Sequence, residues 1–224
     1  MMQTPLSQTA VISSVSTATA IFEPLTKVLE QEVLPYLQAN SPLLQTLKQQ
    51  NKPEQKLICA ISYAWGNKEH EAWVEAFAEM LEIAGIEVLL DRWYDRSGKE
   101  LMSFVEKMFA SNYLIVIGTP LYLKKYQKIS QLPENEAILQ LFSDVQTDQQ
   151  EHVVRTEMRL MRHIYRHSEN LSDNVIPVLL EGTPEQSLPF VLRSKLARNM
   201  TQGNELAETL TLIKDLYGIC NRDK

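Results

Sequence analysis

The stretch from Ile86 to Lys125 constrains this chain more than any other. Ile86, Val88, Leu89 and Leu90 form a short apolar run that Asp91 stops, and Tyr113 to Ile117 is a second run ended by Gly118, Thr119 and Pro120. Apolar runs without polar alternation suit parallel strands buried on both faces. Between them Leu101, Phe104, Val105 and Met108 recur at three- and four-residue spacing, the apolar face of a helix. Strand, polar loop, helix and strand make half of a doubly wound sheet, where ligands sit outside the carboxyl ends of the strands. Asp91, the loop Arg92 to Lys99 and the start of the following helix therefore stand at the expected working edge.

The rest of the chain repeats the alternation. Leu57 to Ser62 reads as a first buried strand, followed by a loop of aromatic and turn residues, Tyr63 to Asn67. Glu69 to Ala84 is the clearest helix, with Trp73, Phe77, Met80, Leu81 and Ala84 on one stripe and Gly85 placed as its C-cap. Beyond Lys125, residues 126–150 read as polar and irregular with a short helical patch around Ala137 to Phe142, and His152 to Tyr165 reads as a helix. Asn174 to Leu180 is a fourth apolar run, whose Pro177 points to an edge or bulged strand. A closing helix carries Leu206, Leu210, Ile213 and Leu216 with Tyr217, and Asn204 is expected as its cap. Four strands alternating with helices predict an α/β three-layer sandwich with a mainly parallel sheet.

The expected organisation is a mobile tail over residues 1–21, a helical extension and linker over 22–55, and one domain over 56–220. The extension rests on Leu25, Leu29, Val33 and Tyr36 with Leu37, one helical face, and on a second short helix opened by Ser41 and Pro42. The polar segment Asn51 to Lys56 is the best boundary. Packing of these helices on the domain, self-association and linkage to another body are the three readings open to them.

Charge and cysteine usage narrow the function classes. A formal net charge of −6 argues against nucleic acid as the main partner, because phosphate binding needs a basic footprint. Two cysteines, Cys59 and Cys220, define neither a disulfide framework nor a metal set, and a reducing cytoplasmic setting fits them. No apolar run approaches the ~20 residues of a membrane span. Phosphate-binding Gly-rich loops, GxSxG and HExxH are all absent from the sequence. The four histidines, His70, His152, His163 and His167, read as solvated helix residues. His163 and His167 lie one turn apart but lack the further ligands a zinc site needs. Arg155, Arg159 and Arg162 read as a solvated face.

Loop residues beside the strand ends are the candidates for chemistry. Trp65, Trp93 and Tyr94 either cover the sheet edge or stack on a planar ring. Asp91 either caps its loop or bonds a ligand hydroxyl. Glu100 stands in the first turn of its helix, where the macrodipole alone favours a carboxylate. A catalytic role for it is the alternative.

These residues carry a family likeness. ISYAW at Ile61 to Trp65, the helix with Trp73, GIEVLLDRW at Gly85 to Trp93, GKELMSFVEK and IVIGTPLYLKK together resemble the Toll/interleukin receptor (TIR) superfamily, nearest its bacterial SEFIR-like side. The resemblance spans Leu57 to Lys125 and reaches more weakly to Leu180. It implies a flavodoxin-like fold. The loop DRWYDRSGK lacks the arginine–aspartate–x–proline–glycine box of animal receptor adaptors, so the adaptor role is not implied. Many domains of this kind cleave NAD⁺ at the nicotinamide–ribose bond with a glutamate just after the glycine of the second-strand loop, and that position here is Glu100. By the same resemblance Ser62, Tyr63, Trp65, Asp91, Trp93 and Lys99 would line the nucleotide crevice. NAD⁺ enters as substrate, with no cofactor and no metal. Homotypic association would switch the activity on, in bacterial defence or as an effector. The rival expectation is a signalling module without turnover, with Trp93 and Tyr94 as interface anchors.

Overall fold

Five strands line up in the order β2-β1-β3-β4-β5, every neighbouring pair parallel. They are β1 (Ile58–Ser62), β2 (Glu87–Leu89), β3 (Tyr113–Gly118), β4 (Val175–Leu179) and β5 (Arg198–Asn199). The computed structural model describes residues 21–39, 42, 44–45, 49, 57–90, 93, 107–108, 111–130, 174–201 and 203–218. The expected tail up to residue 20, the Asn51 to Lys56 boundary, the helix His152 to Tyr165 and the patch around Ala137 to Phe142 lie outside these residues, while Ile21, expected in the tail, is already helical.

The all-parallel sheet is the flavodoxin-like α/β sandwich that the apolar runs predict. The fifth strand is a departure from the four expected. It is two polar residues long and carries no apolar run, so its place is set by pairing with Val178 and Leu179. Its Arg198 guanidinium is anchored by the Asp215 carboxylate, with Glu208 3.8 Å away.

Pro177 sits in an interior strand, not at the sheet edge, yet its missing donor still makes sense. Along β4 the even-numbered residues bond to β3, as Leu114 N–H to Asn174 O shows. The odd-numbered ones face β5, as Met200 N–H to Leu179 O shows. Pro177 therefore withholds its donor on the β5 side, where pairing begins only at Val178.

Helices cover both faces. The chain moves one way across the sheet from β1 to β2 and the other way from β3 to β4. Right-handed crossovers thus put α2 (Lys68–Ile83) and α3 (Pro120–Ser130) on opposite faces. Contacts agree: α3 touches the short α4 (Pro184–Ser187), while α2 and the closing α5 (Glu205–Leu216) share a neighbour in α1, residues 21–39. Thr119 caps α3, its Oγ1 accepting from Tyr122 N–H at 3.1 Å, and Pro120 fills the first helical position. Helix thus begins directly after β3, where the sequence reads as a polar exit.

The extension joins this core. Helix α1 is α-helical over 21–28, carries a π segment at Leu29–Val33 and closes with Leu34–Ala39. Leu34 N–H reaches back to Leu29 O, and the widened turn comes just before Pro35, whose ring would crowd a regular helix. Phe22, Leu25, Leu29, Val33 and Leu37 are all buried in the same apolar cluster as the sheet, whereas Tyr36, expected on that face, is exposed at 39%. Packing on the body is the reading the structure selects for this helix.

Candidate functional site

Parallel strands bring their carboxyl ends to one rim. Ser62, the last residue of β1, pairs with Val116 of β3, and Leu90 follows the β2 neighbour on the other side. The chain leaves β1 towards β2 and later returns to β3 beyond it, so the topological switch point falls between β1 and β3. The sequence reasoning places its candidates at this rim.

Ser62, Tyr63 and Trp65 come together here, and all three are buried, Trp65 at 5% exposure. Ser62 Oγ shares a 3.2 Å hydrogen bond with the phenol of Tyr122 on α3. The Tyr63 and Trp65 rings stack on each other at 5.7 Å with planes 22° apart. In this arrangement the three floor the rim. Trp93 differs: it is exposed at 37%, its N–H donating to Leu90 O at 3.1 Å. Asp91, Lys99, Glu100 and Tyr94 lie outside the described residues, and so do His152, His163, His167 and the three arginines.

The loop between β1 and α2 is tied down from two helices. From α3, Lys125 Nζ donates to the Trp65 carbonyl at 2.6 Å. From α2, the Glu71 carboxylate accepts the Gly66 N–H at 2.8 Å, Gly66 holding the turn at a φ of 111°. Asn67 caps the helix, its Oδ1 accepting from His70 N–H at 3.0 Å.

His70 completes the set and overturns the reading of a solvated histidine. It is 1% exposed, its Nδ1 lies 3.1 Å from Ala64 O, and its ring meets Phe22 at 5.3 Å and Tyr63 at 6.0 Å. Burial lowers its pKa to about 4, against a smaller opposing pull from the Ala64 carbonyl, and the Lys125 charge pushes the same way as burial. The imidazole is therefore neutral at pH 7. A signal was available in the sequence: position 70 lies on the stripe of Trp73, Phe77 and Ala84.

Among the described residues no group of three or more His, Cys, Asp or Glu side chains is placed to hold a metal ion, and no helix is long and apolar enough to cross a membrane. No curated protein matches the chain. A family model does, the one described as TIR domain, over residues 60–213. Five parallel strands in flavodoxin-like order, ISYAW at the switch point and a match across most of the chain agree: this chain belongs to the TIR domain family.

Proposed function

We propose that this chain is an NAD⁺-cleaving TIR domain of the bacterial SEFIR-like branch, working in the cytoplasm in defence or effector signalling and switched on by association with its own kind. The observation that carries the reading is the strand order. It sets the carboxyl ends of β1 and β2 side by side, and Asp91 follows Leu90 directly in the chain. A carboxylate beside the ribose of NAD⁺ hydrogen-bonds its hydroxyls and stabilises an oxocarbenium-like transition state. Nicotinamide departs from an already cationic ring, so its loss needs no general acid. Water then adds at the anomeric carbon and releases a proton, giving ADP-ribose; attack by the adenine ring instead gives a cyclic product. Glu100 takes the carboxylate role, Asp91 a ribose hydroxyl, Lys99 a phosphate, and Trp93 a ring face.

The test is nicotinamide release by concentrated full-length protein, repeated with Glu100→Gln. Loss of roughly 10²-fold or more in rate supports the assignment. Equal release by both proteins removes Glu100 from the chemistry.

One observation favours a second reading, a TIR–TIR interaction module without turnover. Tyr63 and Trp65 turn their ring faces to each other in the core, while Trp93 stands in solvent as an interface anchor does. Calorimetry with NAD⁺ separates the two, since the module gives neither heat of binding nor product.

A further inference from the structure

Helix α1 lies wholly before residue 60, where the family match begins, yet its first buried side chain packs on His70 in the first turn of α2, next to the rim loop. Phe22 is 2% exposed and its ring rests on His70, whose Nδ1 holds the carbonyl of Ala64. We propose that α1 is a positioning element for the site: Phe22 seats His70, His70 fixes the Ala64 to Asn67 turn, and displacing α1 loosens the rim.

The chemistry of the imidazole makes the seat necessary. A carbonyl oxygen only accepts, so Nδ1 carries the proton and Nε2 is left as an acceptor. Nε2 is buried with no hydrogen-bond partner among the described residues. Such an atom gains by reaching water, and the rings of Phe22 and Tyr63 pack against the imidazole that carries it. Removing the Phe22 ring lets water in, and a hydrated imidazole is free to turn off Ala64. The turn then keeps its Lys125 and Glu71 ties at Trp65 and Gly66 but loses the one at Ala64, just before them. Because α1 also packs on α5, its seating depends on the far end of the domain as well. A partner that drew α1 away would change the rim without touching it. The inference concerns the loop and holds whether or not the rim turns over a substrate.

Native-state hydrogen exchange on the full-length protein tests it, read at the Gly66 amide and, for global opening, at the amides of Ile115 and Val116 in β3. Phe22→Ala is expected to speed Gly66 exchange about tenfold beyond any change at β3, as the loss of one aromatic contact predicts. His70→Phe, which keeps a ring against Phe22 but cannot donate to Ala64, is expected to do the same. The double variant should go no further than either single one, because both cut one path. Leu212→Ala, in the buried face of α5, is expected to move Gly66 and β3 together. Should Phe22→Ala fail to fold, Phe22→Leu keeps most of the volume and is read in the same way. Gly66 exchange that tracks β3 in the Phe22 variant, or effects that add in the double variant, would overturn the coupling.

Discussion

Tyr217, just past the end of α5, donates its phenolic proton to the carbonyl oxygen of Ala84, 2.8 Å away and 133 positions earlier in the chain. Both residues are buried. The bond ties the last helix to the C-terminal turn of α2, which leads through Gly85 into β2. Tyr217→Phe leaves that carbonyl without its donor and is expected to lower unfolding free energy by about 1–3 kcal/mol. Chemical denaturation measures it. A change within error would mean that water replaces the phenol.

His70 makes stability depend on pH in a definite direction. Its folded pKa of about 4 lies below the unfolded value near 6.5, so between these limits the unfolded state binds more protons. The stability due to its burial as a neutral ring is complete above pH 6.5 and drains away as pH falls towards 4. About 3 kcal/mol is the expected size of the loss. Glu181 slopes the other way, since burial raises its carboxyl. The difference between wild type and His70→Gln isolates the histidine. Parallel stability curves for the two proteins from pH 7.5 to 4.5 would sink this account.

At the end of β3, Gly118 is held small by Leu188. A β-carbon added there would stand 2.5 Å from Leu188 Cδ2 and 3.1 Å from its Cγ, and Leu188 is fully buried. Gly118→Ala is expected to cost about 1–3 kcal/mol through overpacking. Adding Leu188→Val makes room, so the pair should lose less than the sum of the single changes. Additive losses in a double-mutant cycle would show that the clash relaxes elsewhere.

Cys59, in the middle of β1, is fully buried, and burial pushes its thiol well above the ordinary range. With Cys220→Ser to leave one thiol, modification by a thiol reagent is expected to follow the rate of global opening. Rapid labelling of the native protein would mean that β1 opens locally.

Legibility in the sequence was uneven for physical reasons. The strands from Ile58, Glu87, Tyr113 and Val175 could be read because a strand covered on both faces must be apolar throughout. Strand β5 could not, because Arg198 and Asn199 are recruited by a neighbour and have no pattern of their own. In α5 Ile213 and Leu216 are buried as expected, but the first half of the face is turned by about a residue: Glu205, Thr209 and Leu212 are buried while Leu206 and Leu210 are only partly so. Asn204 stands at its N-cap without a side-chain bond, and Glu205 instead accepts from Gly203 N–H at 3.2 Å. At the rim, residue type left Trp65 either to cover the sheet edge or to stack on a planar ring, and the ring it stacks on here is that of Tyr63. His70 reads as solvent-facing by type, although its place on the stripe was the better guide.

The sequence by itself determined where the buried strands and amphipathic helices run, and through several motifs in order it determined the family. Those features are local, since each apolar side chain must leave water whatever covers it. Tertiary structure alone decided which polar groups are buried and what they hold: His70 on Ala64, Ser62 on Tyr122, Tyr217 on Ala84. A polar atom is stable out of water only when a partner arrives in the right geometry, and here that partner is often more than fifty residues away.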